Sequence, residues 1–201
     1  MLKENKQMSN FTTVEADPEG AAAYLRALKQ KSVVDERREE AQTERPNWIQ
    51  VSHDEVRNAA AKDSIWHQPM KPQGLDFEKV RNVNLGSNCP HIDDIVVDAG
   101  TVTQHKSMEL TLPSYQNIRT MQSAVERYID HLDERTKGVW YWTDRDKGIE
   151  YRFERGANFQ DRYLELGIPA GQATQAQVDK LLELQEYAQS KDVTMVIVEV
   201  P

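Results

Sequence analysis

The stretch His91–Leu110, HIDDIVVDAGTVTQHKSMEL, constrains the fold most, because two runs rich in β-branched residues flank a glycine-containing break at Ala99-Gly100. Alternation around such a break predicts a β-hairpin. With Ala99-Gly100 as the loop, the antiparallel register pairs Asp98 with Thr101, Val97 with Val102 and Asp93 with Lys106, and directly paired residues share a face. The side-chain period is two, so a slip of one residue would send Lys106 to the opposite face. A carboxylate and an ammonium side by side on rigid strands suit metal-assisted cleavage of a phosphodiester: the acid holds a cation, and the lysine orients water or stabilises the phosphate. The same pair also occurs as a plain surface ion pair contributing about 0.2–1 kcal/mol.

A chain of 201 residues suits one ordinary domain, or a domain with a helical extension. There is no apolar run of about 18 residues and no basic-then-apolar leader, so neither a membrane-spanning segment nor a removable signal peptide is expected. Cys89 is the single cysteine, which excludes an intramolecular disulfide framework and a multi-cysteine zinc site. The net charge of -8 argues against a broad nucleic-acid-binding face. Residues 69–201 alone carry 15 Lys and Arg against 21 Asp and Glu, so any nucleic acid must meet a local basic patch or a metal-filled site. Lys137, Arg145, Lys147, Arg152, Arg155 and Arg162 are candidates for the patch, with solvated surface residues as the plainer reading.

Along the chain, Asp17-Pro18-Glu19 reads as an N-cap followed by proline at the first helical position, opening a helical stretch to about Thr43. A second helix runs from a capping box at Ser52–Glu55 to about Ile65. Residues 1–68 are thus expected to form a helical N-terminal segment, joined through the prolines at 69 and 72 to the chemistry-bearing part, 69–201. There a short helix holds Asp76, Phe77 and Glu78, followed by the hairpin and a long helix over about 114–135 with apolar residues every three or four positions. Strand-like runs at 148–154 and 162–168, a helix at 174–190 capped by Thr174 with Gln177, and a closing strand at 193–200 complete it. This order predicts an α/β fold, a mixed sheet flanked by helices.

Several ordered motifs are familiar: GLDFE, the IDD then TVTQHKSMEL hairpin, PSYQNIRTMQSAVERYID, and YLELGIP followed by ATQAQVDKLLELQEYAQSKDVTMVIVEV. Over about residues 69–201 they resemble the C-terminal toxin domains of bacterial contact-dependent growth inhibition proteins, within the group that has a restriction-endonuclease-like, PD-(D/E)XK nuclease fold. The resemblance implies Glu78 as the helix carboxylate, Asp93 as the metal-binding acid and Lys106 as the catalytic lysine. The divalent ion would be Mg²⁺, Mn²⁺ or Zn²⁺, lowering the pKa of bound water and offsetting phosphate charge. The acid usually found two positions before the lysine is here Gln104, which brings an amide oxygen to the same face. Asp98 at the turn, and after it Asp94, are candidates for the missing charge. Ser107, His105, Tyr115 and Gln116 lie where they can touch substrate. The resemblance further implies tRNA as the favoured substrate with DNA as the alternative, a cognate immunity protein as partner, and delivery into the cytoplasm of a target bacterium, where residues 1–68 would serve as a delivery segment.

Other chemistries fit less well. His91 and His105 fall on different faces, which makes them poor acid–base partners. Ser107 has no nucleophile-elbow glycines, and Cys89 no catalytic signature. Trp140-Tyr141-Trp142 could stack bases, but consecutive aromatics beside a strand also serve sheet packing. A non-enzymatic reading, an immunity protein or an inactive toxin relative, is compatible with the acidity and with Gln104, but has no use for Glu78, Asp93 and Lys106 together.

Overall fold

A computed structural model describes residues 48–86, 89–145 and 147–201. The expected helix at 17–43 lies outside them. In chain order the elements are β1 (Trp48–Gln50), α1 (His53–Ala60), α2 (Met70–Arg81), β2 (Asp94–Val96), β3 (Thr101–Ser107), α3 (Pro113–Gln116), α4 (Ile118–Arg135), β4 (Trp140–Asp144), β5 (Ile149–Phe153), β6 (Asp161–Pro169), α5 (Gln175–Ser190) and β7 (Thr194–Val200). The five-stranded sheet runs β1-β7-β6-β3-β2, with β2 antiparallel to β3 and the other neighbours parallel. β4 and β5 form a separate antiparallel pair. This is the mixed α/β architecture expected, and no described helix is long and apolar enough to cross a membrane.

Local chemistry explains the helix ends. Ser52 with Glu55, and Thr174 with Gln177, form reciprocal capping boxes on α1 and α5. The expected long helix is broken at Asn117, whose side chain accepts the Thr120 amide and restarts the backbone as α4. α1 ends earlier than the sequence suggests, at Ala61, in the left-handed conformation.

Each face of the sheet has its own core. On one, Met121, Val125, Ile129 and Leu132 of α4 and Val178, Leu181 and Leu184 of α5 pack on Val102, Leu164, Leu166, Met195 and Ile197. On the other, Val56, Ile65, Trp66 and Phe77 pack on Val196, Val198 and Val200. The described residues from Trp48 onward belong to one unit, Asn47–Pro201. Residues 48–68 therefore share the sheet and core with residues 69–201: β1 pairs with β7, and α1 covers a face of the sheet. The prolines at 69 and 72 mark the start of α2 rather than a linker. Three residues of strand, invisible by periodicity, decide this.

The hairpin turn also differs. Val96 pairs with Thr101, so the turn is Val97–Gly100, a 3₁₀ turn closed by Gly100 at φ 67°, instead of the two-residue Ala99-Gly100 loop. Gly100 uses its positive φ to aim its carbonyl at the amides of Gln160 (2.7 Å) and Asp161 (3.0 Å), docking the turn onto β6. The longer turn moves the register by two residues, and a shift of two preserves faces.

Candidate active site

The site lies where β2 stops and leaves an edge of β3 uncovered. Even-numbered residues of β3, Val102, Gln104 and Lys106, face α4 and α5, because Val102, Leu164 and Leu166 belong to that core and Gln104 and Lys106 pair with those leucines. Odd-numbered residues face α2: His105 meets the Phe77 ring at 6.1 Å, and the Ser107 hydroxyl donates to Gln73 Oε1 at 3.4 Å. Asp93 continues β2 by one residue, its amide donating to the Thr103 carbonyl at 2.9 Å. In the shifted register Asp93 stands beside Gln104 and diagonal to Lys106, not opposite Lys106 as the two-residue loop implied. Its Oδ2 lies 3.5 Å from Lys106 Nζ.

The backbone of one residue organises the pair. The His105 amide donates to Asp93 Oδ2 at 2.7 Å, and the His105 carbonyl accepts from Lys106 Nζ at 3.0 Å. The His105 side chain is buried under the strand, with Nδ1 at 3.2 Å from Glu165 Oε2. Arg81 holds Glu165 through both oxygens, at 2.5 and 2.8 Å. Burial opposes the charge on Glu165, but the contacts with His105 and Arg81 prevail and hold its carboxyl far below the usual range. His105 as a substrate contact is thereby corrected: its ring is sealed between Phe77 and Glu165, and it serves the site through its backbone.

Glu78 arrives from α2. Burial, then the negative charge of Asp93, raise its carboxyl above the ordinary value, against the pull of Lys106 and His105. Gln104 is 1% exposed and its Oε1 has no hydrogen-bond partner. Two carboxylates that repel each other and, on the sheet face of Asp93, a buried amide oxygen without a partner are oxygen donors of the kind a hard divalent cation takes. Among the described residues no group of three or more His, Cys, Asp or Glu is assembled to hold a metal.

The other expected residues are not brought to this point. Asp98 is exposed in the turn, at the far end of the hairpin from Asp93, and adds no charge to the site. Asp94 is on the opposite face, and burial raises its carboxyl. Tyr115 packs on the core and its carbonyl accepts from Gln177, while Gln116 bonds back to Thr111; both secure the entry to α4. Cys89 is buried, and burial followed by the Asp93 charge pushes its thiol up to about 12, which leaves it protonated and inert.

The candidate basic patch is largely consumed by ion pairs. Arg162 is buried and bonded to Asp133 (2.9 Å), Thr136 (3.0 Å) and the carbonyls of Lys191 and Asp192. Lys137 pairs with Asp133, Lys147 with Asp144, Arg152 with Glu154 and Arg155 with Asp192. Trp140 stacks on Phe153 at 4.1 Å with the Arg135 guanidinium over its ring at 3.9 Å, so it is packed within the small sheet. Sequence reasoning missed the contact of His91 with His131, ring centroids 4.9 Å apart beside the site, because the two lie forty residues apart with no shared motif.

Residues 73–198 match the family model described as the CDI toxin restriction endonuclease-like domain. Among solved structures, the chain is similar to the CdiA-CT/CdiI toxin and immunity complex from Yersinia pseudotuberculosis, at 16% identity and a TM-score of 0.47, over 62% of this chain and 98% of that one. No curated protein matches it.

Proposed function

Because the chain belongs to the family of CDI toxin restriction endonuclease-like domains, we propose that it is a metal-dependent endonuclease that cleaves tRNA inside a neighbouring bacterium. The observation that carries the chemistry is the meeting of Asp93 and Lys106 at 3.5 Å beside a carboxyl, Glu78, whose ionisation both burial and Asp93 oppose. Glu78, Asp93 and the Gln104 amide oxygen would hold a divalent cation. When bound, it supplies a water of lowered pKa and offsets charge on the scissile phosphate. Lys106, fixed by the His105 carbonyl, presents its ammonium to the attacking water or to a phosphate oxygen as negative charge accumulates there. Asp93, held by the His105 amide, keeps one oxygen committed to the backbone, which sets the direction of the other.

The preference for tRNA over DNA follows the resemblance to this toxin group, and charge agrees with it. With Arg162 buried and Lys137, Lys147, Arg152 and Arg155 in ion pairs, these residues do not make a basic track for an extended duplex, and a compact, shaped RNA approached through one patch suits the surface better. Activity of this kind also requires a cognate immunity protein in the producing cell.

The test is incubation of the 201-residue protein with total bacterial RNA and with plasmid DNA, each with Mg²⁺, Mn²⁺, Zn²⁺ or EDTA, beside Lys106→Ala. Cleavage of tRNA alone, lost in EDTA and in the variant, is the expected result. Cleavage of plasmid alone changes the substrate to DNA, persistence in EDTA removes the metal, and inactivity on both returns the chain to a binding role.

A further inference from the structure

A second polar network lies on the other face of the strand that carries Lys106. His67 adopts a left-handed backbone conformation, φ 60°, in the segment between α1 and α2. Both its neighbours are pinned: Trp66 is buried with its indole N–H donating to the Val200 carbonyl at 2.7 Å, and Gln68 Nε2 donates to the Ile65 carbonyl at 2.7 Å and to Asp76 at 3.0 Å. The His67 side chain is 74% exposed, yet its Nδ1 lies 3.0 Å from Oε1 of Glu109, whose side chain is 6% exposed. The other Glu109 oxygen accepts from Gln73 Nε2 at 3.1 Å, and Gln73 Oε1 in turn accepts from Ser107, the residue after Lys106.

This differs from the way the fold satisfies Glu165, where the charge is met from inside by Arg81. Glu109 instead holds an imidazole that stands in solvent. The close approach of Nδ1 to the buried carboxylate sets the ring orientation while most of the side chain stands in solvent, the arrangement by which a carboxylate presents a histidine to a ligand. Backbone strain at a residue whose neighbours are fixed is consistent with a ligand-facing role. Lys106 and Glu109 are three residues apart in nearly extended chain, so their Cα atoms lie roughly 10 Å apart along it.

We propose that His67, oriented by Glu109, contacts a backbone phosphate of the nucleic-acid substrate a short distance from the scissile one, on the Ser107 side of the site. The inference rests on the nuclease reading. His67 is a positioning residue for substrate and takes no part in bond cleavage.

The test compares wild type, His67→Asn, Glu109→Gln and the double variant on whichever of bacterial RNA or plasmid DNA the wild type cleaves. Asparagine tolerates the left-handed backbone, so the fold is kept while the ring is lost. His67→Asn is expected to raise KM roughly fivefold with kcat within about twofold, as removal of one exposed charge-assisted contact does. Glu109→Gln, which frees the ring, moves KM the same way. In the cleavage-deficient Lys106→Ala background, His67→Asn weakens substrate affinity by the same roughly fivefold factor. If His67 only packs against Glu109, His67→Asn lowers the melting temperature, Glu109→Gln restores it, and KM and substrate affinity stay at wild-type values; that pattern overturns the proposal. A loss confined to kcat also overturns it. Absence of cleavage by the wild type on either substrate removes the nuclease reading and this inference with it, whereas an active wild type with an indistinguishable His67→Asn removes this inference alone.

Discussion

Gly167 on β6 lies directly against the helix that carries Glu78. A Cβ added there would lie 2.7, 2.8 and 2.9 Å from the Cε2, Cζ and Cδ2 atoms of Phe77. Ordinary carbon–carbon contact begins near 3.5 Å, so the ring must retreat by about 1 Å. Phe77 is fully buried among Val56, Ile65, Val198 and Val200, and its ring edge already meets His105, so it has no free space to enter. Gly167→Ala is therefore overpacking, and should destabilise by about 1–3 kcal/mol. At about 2–4 °C per kcal/mol for a chain of this size, the melting temperature should fall by about 2–12 °C. The displaced element is α2, and Glu78 is the residue after Phe77, so metal-supported cleavage should fall about 10–100-fold in the fraction that remains folded. Thermal unfolding by circular dichroism and cleavage assays at about 20 °C, well below the expected melting range, would measure the two effects. Adding Phe77→Leu, which removes the ring edge, should recover at least about 1 kcal/mol relative to additivity in a double-mutant cycle. A Gly167→Ala protein that melts within about 1 °C of wild type and cleaves at the wild-type rate would refute the claim that this contact sets the position of α2.

Asp76 is buried, which opposes its charge, but Lys62, Lys79 and Gln68 bond to it and bring its pKa down to about 2 from an ordinary 3.8. The folded pKa is the lower one, so this stabilisation, about 2 kcal/mol, is present above about pH 4 and is lost as pH falls toward about 2. Asp76→Asn should flatten that part of the acid-unfolding curve, as followed by denaturant titration at each pH. Gln104→Glu supplies the carboxylate that the donor set lacks: the Mg²⁺ concentration giving half-maximal cleavage should fall several-fold, and the protein without metal should melt lower because a third negative charge joins Glu78 and Asp93. An unchanged metal requirement would separate Gln104 from the cation site. Arg162→Ala leaves Asp133 buried with only the exposed Lys137 and should cost about 3 kcal/mol in chemical denaturation, with little effect on metal affinity.

The hairpin shows how much of the site was legible in the chain. Alternation identified both strands and the face shared by Asp93, Gln104 and Lys106, yet the rungs were misplaced by two because Val97–Gly100 turns as a 3₁₀ unit that docks on Gln160 and Asp161. The face survived since side-chain direction repeats every two residues. Asp98, offered for the missing charge from its place at the turn, stands exposed at the far end of the hairpin from Asp93. Glu109 and His67 passed unnoticed, as no periodicity links a buried acid after one strand to an exposed histidine forty-two residues earlier.

The features readable along the chain are local ones: the capping boxes at Ser52 and Thr174, the apolar stripes of α4 and α5, the two arms of the hairpin and the residue types Glu, Asp, Gln and Lys that chemistry needs. They depend on neighbours within about four residues, and their energetics are written in short windows. Which distant groups meet was settled by long-range packing. Parallel pairing of β3 with β6 put Glu165 under His105, the close approach of Gly167 and Phe77 set α2 beside the open edge of β3, and β1 pairing with β7 drew residues from the N-terminal side of α1 into the sheet. Such contacts join segments tens of residues apart through burial and steric fit, quantities that no local pattern encodes.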